Sequence, residues 1–165
     1  MRFSSSAVLC ALALTVFEVR APGETAAAPA SQRASLPALS GPGLVVRLRD
    51  KAHLHPNGGE LLPGVVHDYD LQQLVKQLHA AKAQGIAING VRLNANTSIR
   101  AVGPTIHIGL RPVSHPYTVE AVGDSKTLQR ALTAPDGFAH SINKKGLGPT
   151  IRIQRSGVLR LPGSR

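Results

Sequence analysis

The stretch Gly85–Gly103, GIAINGVRLNANTSIRAVG, decides how the chain is read. It opens as an apolar strand, breaks at Asn89-Gly90, and continues through Arg92 into a polar run with Asn94, Asn96 and Thr97. Asn-Gly is a turn pair, because both residues accept the positive φ that a tight turn demands. Ile86 to Leu93 reads as one strand with Ile86 and Ile88 inward, and Thr97 to Val102 as another with Ile99 and Ala101 inward. The polar run between them is either a hairpin turn on Asn94-Ala95-Asn96 or a cradle built from Arg92, Asn94, Asn96 and Thr97. Turn chemistry favours the first, since Asn side chains bond their own backbone.

Upstream lies HDYDLQQLVKQLHAAKAQG, from His67 to Gly85. Leu71, Leu74, Val75, Leu78 and Ala81 recur at helical spacing and form one apolar stripe. Asp68 is a natural N-cap, Asp70 adds negative charge to the first turn, and Gly85 is placed to end the helix near Gln84. Farther upstream LVVRLR, Leu44–Arg49, alternates as a strand with Leu44, Val46 and Leu48 inward, and Lys51–Gly64 is a long Pro- and Gly-containing loop. Downstream, Thr105–Leu110 alternates with Ile106, Ile108 and Leu110 inward. Tyr117–Val122 is a further strand. Asp124 caps a second helix over Ser125–Thr133, Pro135–Gly148 is a loop, and Thr150–Gln154 closes the set with Ile151 and Ile153 inward. The order predicts an α+β domain, a ferredoxin-like sheet with two helices packed on one face.

The whole chain has 165 residues, enough for one packed domain. Residues 1–21 read as a signal peptide or short membrane anchor. Arg2 supplies the positive start, and Ala7–Phe17 is an apolar run too short to span a bilayer. Residues 22–42, rich in Ala, Pro and Ser, read as a disordered linker, and 43–165 as the domain. Cys10 is the sole cysteine, which excludes an intramolecular disulfide and a Cys-based zinc site.

Net charge is +10, and 16 of the 19 Lys and Arg but only 7 of the 9 Asp and Glu follow Gly43. The domain itself is therefore basic and suited to acidic partners. If the apolar strand positions face the helices, their neighbours Val45, Arg47, Arg49, Asn89, His107, Thr118, Glu120, Arg152 and Gln154 face away. Arginine dominates that list. Ordinary solvation, with Glu120 neutralising one Arg, is the plainer alternative to an anion-contacting surface. RNA readers on such sheets stack bases on aromatics, and none falls at these outward positions, which demotes RNA. His53, His55 and His67-Asp68 have loose metal spacing without a zinc motif, and no serine lies in a G-x-S-x-G elbow.

The combination of Ile86, Ile88, Asn89, Gly90, Arg92, Thr97 and Ile99 with Pro116, Tyr117, Ala121, Gly123 and Asp124 resembles the bacterial domain of unknown function family 881. The likeness runs from about Gly43 to Ile153. The chain departs from the family pattern at Lys82, where Gly is usual, at Gln84, where Glu is usual, and at Val91, where Gln is usual. The resemblance implies an envelope-associated bacterial protein, often encoded near cell-division genes, with no assigned enzymatic activity and no cofactor. Family members usually carry an anchor and a coiled coil, but no heptads are present here. Together these readings give an exported or membrane-tethered interaction module. Its partner-binding candidates are Arg47, Arg49, Asn89, Arg92, His107 and Arg152, and its partner is an envelope or division protein, an anionic lipid or an anionic wall polymer. A cytosolic nucleic-acid binder is the alternative, and a hydrolase or metal enzyme a weaker one.

Overall fold

The computed structural model describes residues 35–51, 64–143 and 148–164, all within one compact unit that spans Arg33–Arg165. The segments read as signal and most of the linker lie outside the described residues, as do His53 and His55.

Eleven elements follow one another among the described residues. They are β1 (Leu39–Arg49), α1 (Asp68–Ala80), β2 (Gly85–Ile88), β3 (Val91–Arg92), β4 (Ile99–Val102), β5 (Thr105–Ile108), β6 (Arg111–Val113), β7 (Tyr117–Val122), α2 (Ser125–Thr133), α3 (Phe138–Ser141) and β8 (Thr150–Leu161). They build an α+β architecture with two antiparallel sheets, a five-stranded one ordered β3-β2-β7-β1-β8 and a three-stranded one ordered β4-β5-β6.

In the larger sheet β1 and β2 both run antiparallel to β7, which lies between them. The β1–α1–β2 connection is therefore a crossover that straddles β7. The return from β7 through α2 and α3 to β8 straddles β1 in the same way.

One face of this sheet holds Leu44, Val46 and Leu48 of β1, Ile86 and Ile88 of β2, and Tyr117, Val119 and Ala121 of β7. Leu71, Leu74 and Leu78 of α1 and Leu128 and Leu132 of α2 pack into that same core, so both helices cover one face. Fully burying each of the Leu, Ile and Val side chains among them contributes about 1.5–3 kcal/mol. Ile99, Ile106 and Ile108 carry the three-stranded sheet into the same core.

Several boundaries differ from the sequence-based expectation, each for a physical reason. β1 starts at Leu39, so residues 39–42 of the expected linker are strand, with Leu39, Ser40 and Gly41 paired to Leu161, Arg160 and Leu159 of β8. The helix end is set by Lys82, not Gly85. The Lys82 N–H donates to the His79 carbonyl and the Ala83 N–H to the Leu78 carbonyl, with Lys82 at φ 65°. This is a Schellman stop, and it forces a left-handed residue where the chain has no glycine. His67 occupies the N-cap, one residue before the expected Asp68.

Ile86–Leu93 is not one strand. Asn89 and Gly90, at φ 46° and 76°, fold it into the β2–β3 hairpin. Ala101 is exposed, and so is Leu110, 85% accessible, because Gly109 at φ 62° ends the alternation after Ile108. The expected loop after Pro135 contains α3, whose Phe138 is fully buried. Its backbone N–H donates to Gln77 Oε1 at 2.8 Å.

Candidate functional site

The alternation of LVVRLR that buries Val46 and Leu48 turns Arg47 and Arg49 to the opposite face. Register then fixes their neighbours. Arg47 stands opposite Arg152 and Arg49 opposite Thr150, while on the other side Arg47 faces Thr118 of β7. Arg47, Arg49, Thr150 and Arg152 line one open depression of about 290 Å³. All three arginines are exposed.

Arg47 Nη1 donates to Gln154 Oε1 at 3.4 Å. Among the described residues no carboxylate lies within 4 Å of any of the three guanidinium groups. Glu120, expected to neutralise one of them, sits opposite Val45 and Ala87 and makes no such ion pair.

Among the described residues this end of the back of the sheet carries the exposed arginines. At the other end β1 and β8 continue as a two-stranded ribbon with a register shift between Gly41 and Gly43. Its Leu159 and Leu161 form a second small core with Ala87 and Val122, against which Leu39 and Val45 pack.

Three predicted partner-binding residues fall elsewhere. His107 lies on β5 of the three-stranded sheet, opposite Arg100 and Pro112, and does not share the arginine face. A period of two places a residue on a face of its own sheet but does not say which sheet that is.

Arg92 is buried, 9% accessible, and lies flat against Gly85, where a methyl group would come within 2.4 Å of its Nη2. Its Nε and Nη1 donate to no acceptor among the described residues.

Asn89 is a clamp. Its backbone N–H donates to the Thr118 carbonyl, its Oδ1 accepts the Thr118 N–H at 2.7 Å, and its Nδ2 donates to the Ser114 and Pro116 carbonyls. It thereby holds the segment containing the cis His115–Pro116 peptide against the β2–β3 turn.

The polar run resolves as a turn. Asn94 Oδ1 accepts from the Asn96 N–H and from Thr97 Oγ1, and the Asn94 N–H donates to Thr97 Oγ1. It links two different sheets and is not a hairpin.

Sequence reasoning passed over a close contact between His115 Nδ1 and Asp50 Oδ2 at 2.9 Å. Asp50 Oδ1 also accepts the Val66 N–H. Burial, and then the Asp50 charge, raise the pKa of the neighbouring Tyr117. Nothing local signals this cluster, because its members come together only through the β1–β7 register. Among the described residues no group of three His, Cys, Asp or Glu is placed to hold a metal ion, and no helix is long and apolar enough to cross a membrane.

The chain matches the model of a family described as "Bacterial protein of unknown function (DUF881)" over residues 27–165. It is 34% identical over 111 residues to UPF0749 protein Rv1823 of Mycobacterium tuberculosis, covering 64% of this chain and 36% of that protein. It is 29% identical over 105 residues to UPF0749 protein YlxW of Bacillus subtilis, covering 64% and 45%. A crystal structure of an uncharacterized conserved protein from Mycobacterium tuberculosis shares the fold at a TM-score of 0.65 and 23% identity, over 79% of this chain and 85% of that one. The chain spans less than half the length of these curated relatives. With the family match running through both sheets and all three helices, this chain belongs to the bacterial DUF881 family.

Proposed function

We propose that this protein is a non-enzymatic interaction module of the bacterial cell envelope, linked to cell division, that contacts an acidic partner through the arginine-bearing end of its sheet. Its N-terminal segment, Arg2 followed by the apolar run Ala7–Phe17, serves in this reading as an export signal or membrane tether. We also read the β2-β7-β1-β8 order, with its two straddling crossovers, as a ferredoxin-like core to which β3 and the three-stranded sheet are additions.

One observation carries the functional reading. Arg47, Arg49 and Arg152 line one open depression, with no carboxylate within 4 Å of their guanidinium groups among the described residues. Like charges directly opposite on neighbouring strands weaken a sheet. A purely structural sheet has no use for that arrangement, whereas an acidic partner relieves it. The lining contains no aromatic side chain on which a base would stack, which favours an acidic protein, lipid or wall polymer over nucleic acid.

The test is localisation of the full chain in cells. Combined Arg47→Glu, Arg49→Glu and Arg152→Glu changes abolish envelope localisation while the purified variant keeps its cooperative melt. Unchanged localisation overturns the assignment of this face. Fractionation with N-terminal mass spectrometry tests export. Cleavage between residues 21 and 40 supports it, and an intact Met1 in the cytosol overturns it in favour of a nucleic-acid binder.

A further inference from the structure

We infer that the Arg47/Arg49/Thr150/Arg152 depression is a phosphate-binding site, which deepens the proposed function and rests on the same face being the contact surface. β1 supplies Arg47 and Arg49, and β8 supplies Arg152 and Thr150 as their cross-strand partners, so the four side chains form a two-by-two block on the back of the sheet. The four residues line an open depression of about 290 Å³, walled mostly by their aliphatic stems, and between them they carry three planar guanidinium forks and one hydroxyl. Arginine, unlike lysine, offers paired donors whose spacing matches two oxygens of one oxyanion.

The donor count selects the ligand. A carboxylate spreads one charge over two oxygens, so it offsets little of the repulsion among three forks. A phosphate group offers further oxygens and up to two charges, so it engages several forks at once and offsets more of their mutual repulsion. Among the described residues Arg47 is the one member whose side chain has a hydrogen bond, its 3.4 Å contact with Gln154, and that bond is long for an N–H···O contact. The forks are therefore mostly uncommitted. A phosphoryl group in such a site comes either from a soluble phosphate compound or from a lipid headgroup at the membrane surface, and the recognition chemistry is the same.

Melting of the purified full chain in pyrophosphate, compared with chloride at equal ionic strength, tests the inference. Pyrophosphate raises the melting temperature of the parent chain, and Arg47→Gln with Arg152→Gln weakens its apparent affinity by about tenfold or more. Arg47→Lys with Arg152→Lys keeps the charge and loses the forks, and it also weakens pyrophosphate. Lys76→Gln on the exposed face of α1 changes nothing. No shift in the parent, an equal shift in the glutamine variant, or an equal response to poly-aspartate overturns the inference.

Vesicles of phosphatidylglycerol and of phosphatidylcholine separate the two sources. Arginine-dependent sedimentation with the anionic vesicles alone identifies a lipid headgroup, and pyrophosphate binding without it identifies a soluble ligand. Loss of localisation on charge reversal in a protein that ignores pyrophosphate sinks the phosphate site and leaves the contact face standing. Pyrophosphate binding with unaltered localisation does the reverse.

Discussion

Arg47 of β1 stands directly opposite Arg152 of β8, with no carboxylate within 4 Å of either among the described residues. Replacing one member by an acid turns a repulsive cross-strand pair into an attractive one. Arg152→Glu therefore raises stability by about 0.2–1 kcal/mol at low salt. The gain shrinks between about 0.01 M and about 1 M salt as the Debye length contracts from about 30 to about 3 Å. Urea midpoints at the two salt levels measure it. A variant less stable than the parent at low salt means that the two guanidiniums avoid each other at no cost.

Lys82 sits at φ 65° at the stop of α1 and is exposed, with its neighbours' N–H groups already closing the Schellman pair. A residue with a Cβ is strained there by about 1 kcal/mol. Lys82→Gly relieves that strain. It raises the urea midpoint by the equivalent of up to about 0.6 kcal/mol, net of the extra freedom glycine has in the unfolded chain. Lys82→Ala gains nothing, and a gain equal to that of glycine would place the effect in the lost charge.

Asn89 combines a positive φ with four hydrogen bonds to the Ser114–Thr118 segment. Asn89→Ala leaves the Thr118 N–H without its side-chain acceptor and costs about 1–3 kcal/mol. Asn89→Asp keeps that acceptor but, when ionised, turns a carboxylate oxygen toward the Ser114 and Pro116 carbonyls, so it is the milder change only below about pH 4, where the carboxyl is protonated. Chemical denaturation of the two variants in that acid range gives the order. Equal losses there would show that the acceptor at Thr118 is not what holds the segment.

What was legible in the sequence follows how local each signal is. The helix α2 was read residue for residue, because Asp124, the apolar spacing of Leu128 and Leu132, and Pro135 all lie within one short window. Asp124 caps it through the Thr127 N–H and hydroxyl, and those hydrogen bonds hold its pKa below the usual range. The arginine face was equally legible, since alternation in LVVRLR fixes it before any partner strand is known. The ribbon was not. Arg155, Ser156 and Gly157 interrupt the alternation of β8, and its pairing with Leu39–Gly43 spans the length of the domain. Arg92 was misplaced for a related reason. A charged residue in a strand defaults to solvent, and its burial depends on a bare Gly85 beside it and on Leu39 packing from the ribbon onto the same glycine.

The same arrangement makes Gly85 and Arg92 a coupled pair. A Cβ at residue 85 would lie 2.4 Å from Arg92 Nη2 and 2.9 Å from Leu39 Cδ2. Gly85→Ala therefore costs about 1–3 kcal/mol as an overpacking change. Arg92→Met removes a buried guanidinium with two unpartnered nitrogens and keeps much of its volume. It is neutral or stabilising, and in the double variant it relieves part of the alanine penalty. In the proposed reading Arg92→Met leaves localisation unchanged, which separates this residue from the arginine face. Thermal melts form the cycle, and strictly additive losses would contradict the contact.

Asp70 gives the fold a specific pH dependence. It is buried in the first turn of α1, 6% accessible, and its Oδ2 accepts the His67 N–H at 2.8 Å. Burial raises its pKa above the ordinary carboxylate value. The hydrogen bonds and charge of His67 oppose that rise, and the neighbouring Asp68 adds to it. A carboxyl whose folded pKa is raised binds its proton more tightly in the folded chain than in the unfolded one. Stability from this group is thus present below the unfolded value and lost as pH climbs through the raised folded value. Asp70→Asn keeps an oxygen acceptor for the His67 N–H and has no proton to lose. Its stability relative to the parent therefore improves between about pH 4 and about pH 7. Urea midpoints of both proteins across that range test the sign, and a relative stability that falls with rising pH would mean that the His67 hydrogen bonds outweigh burial.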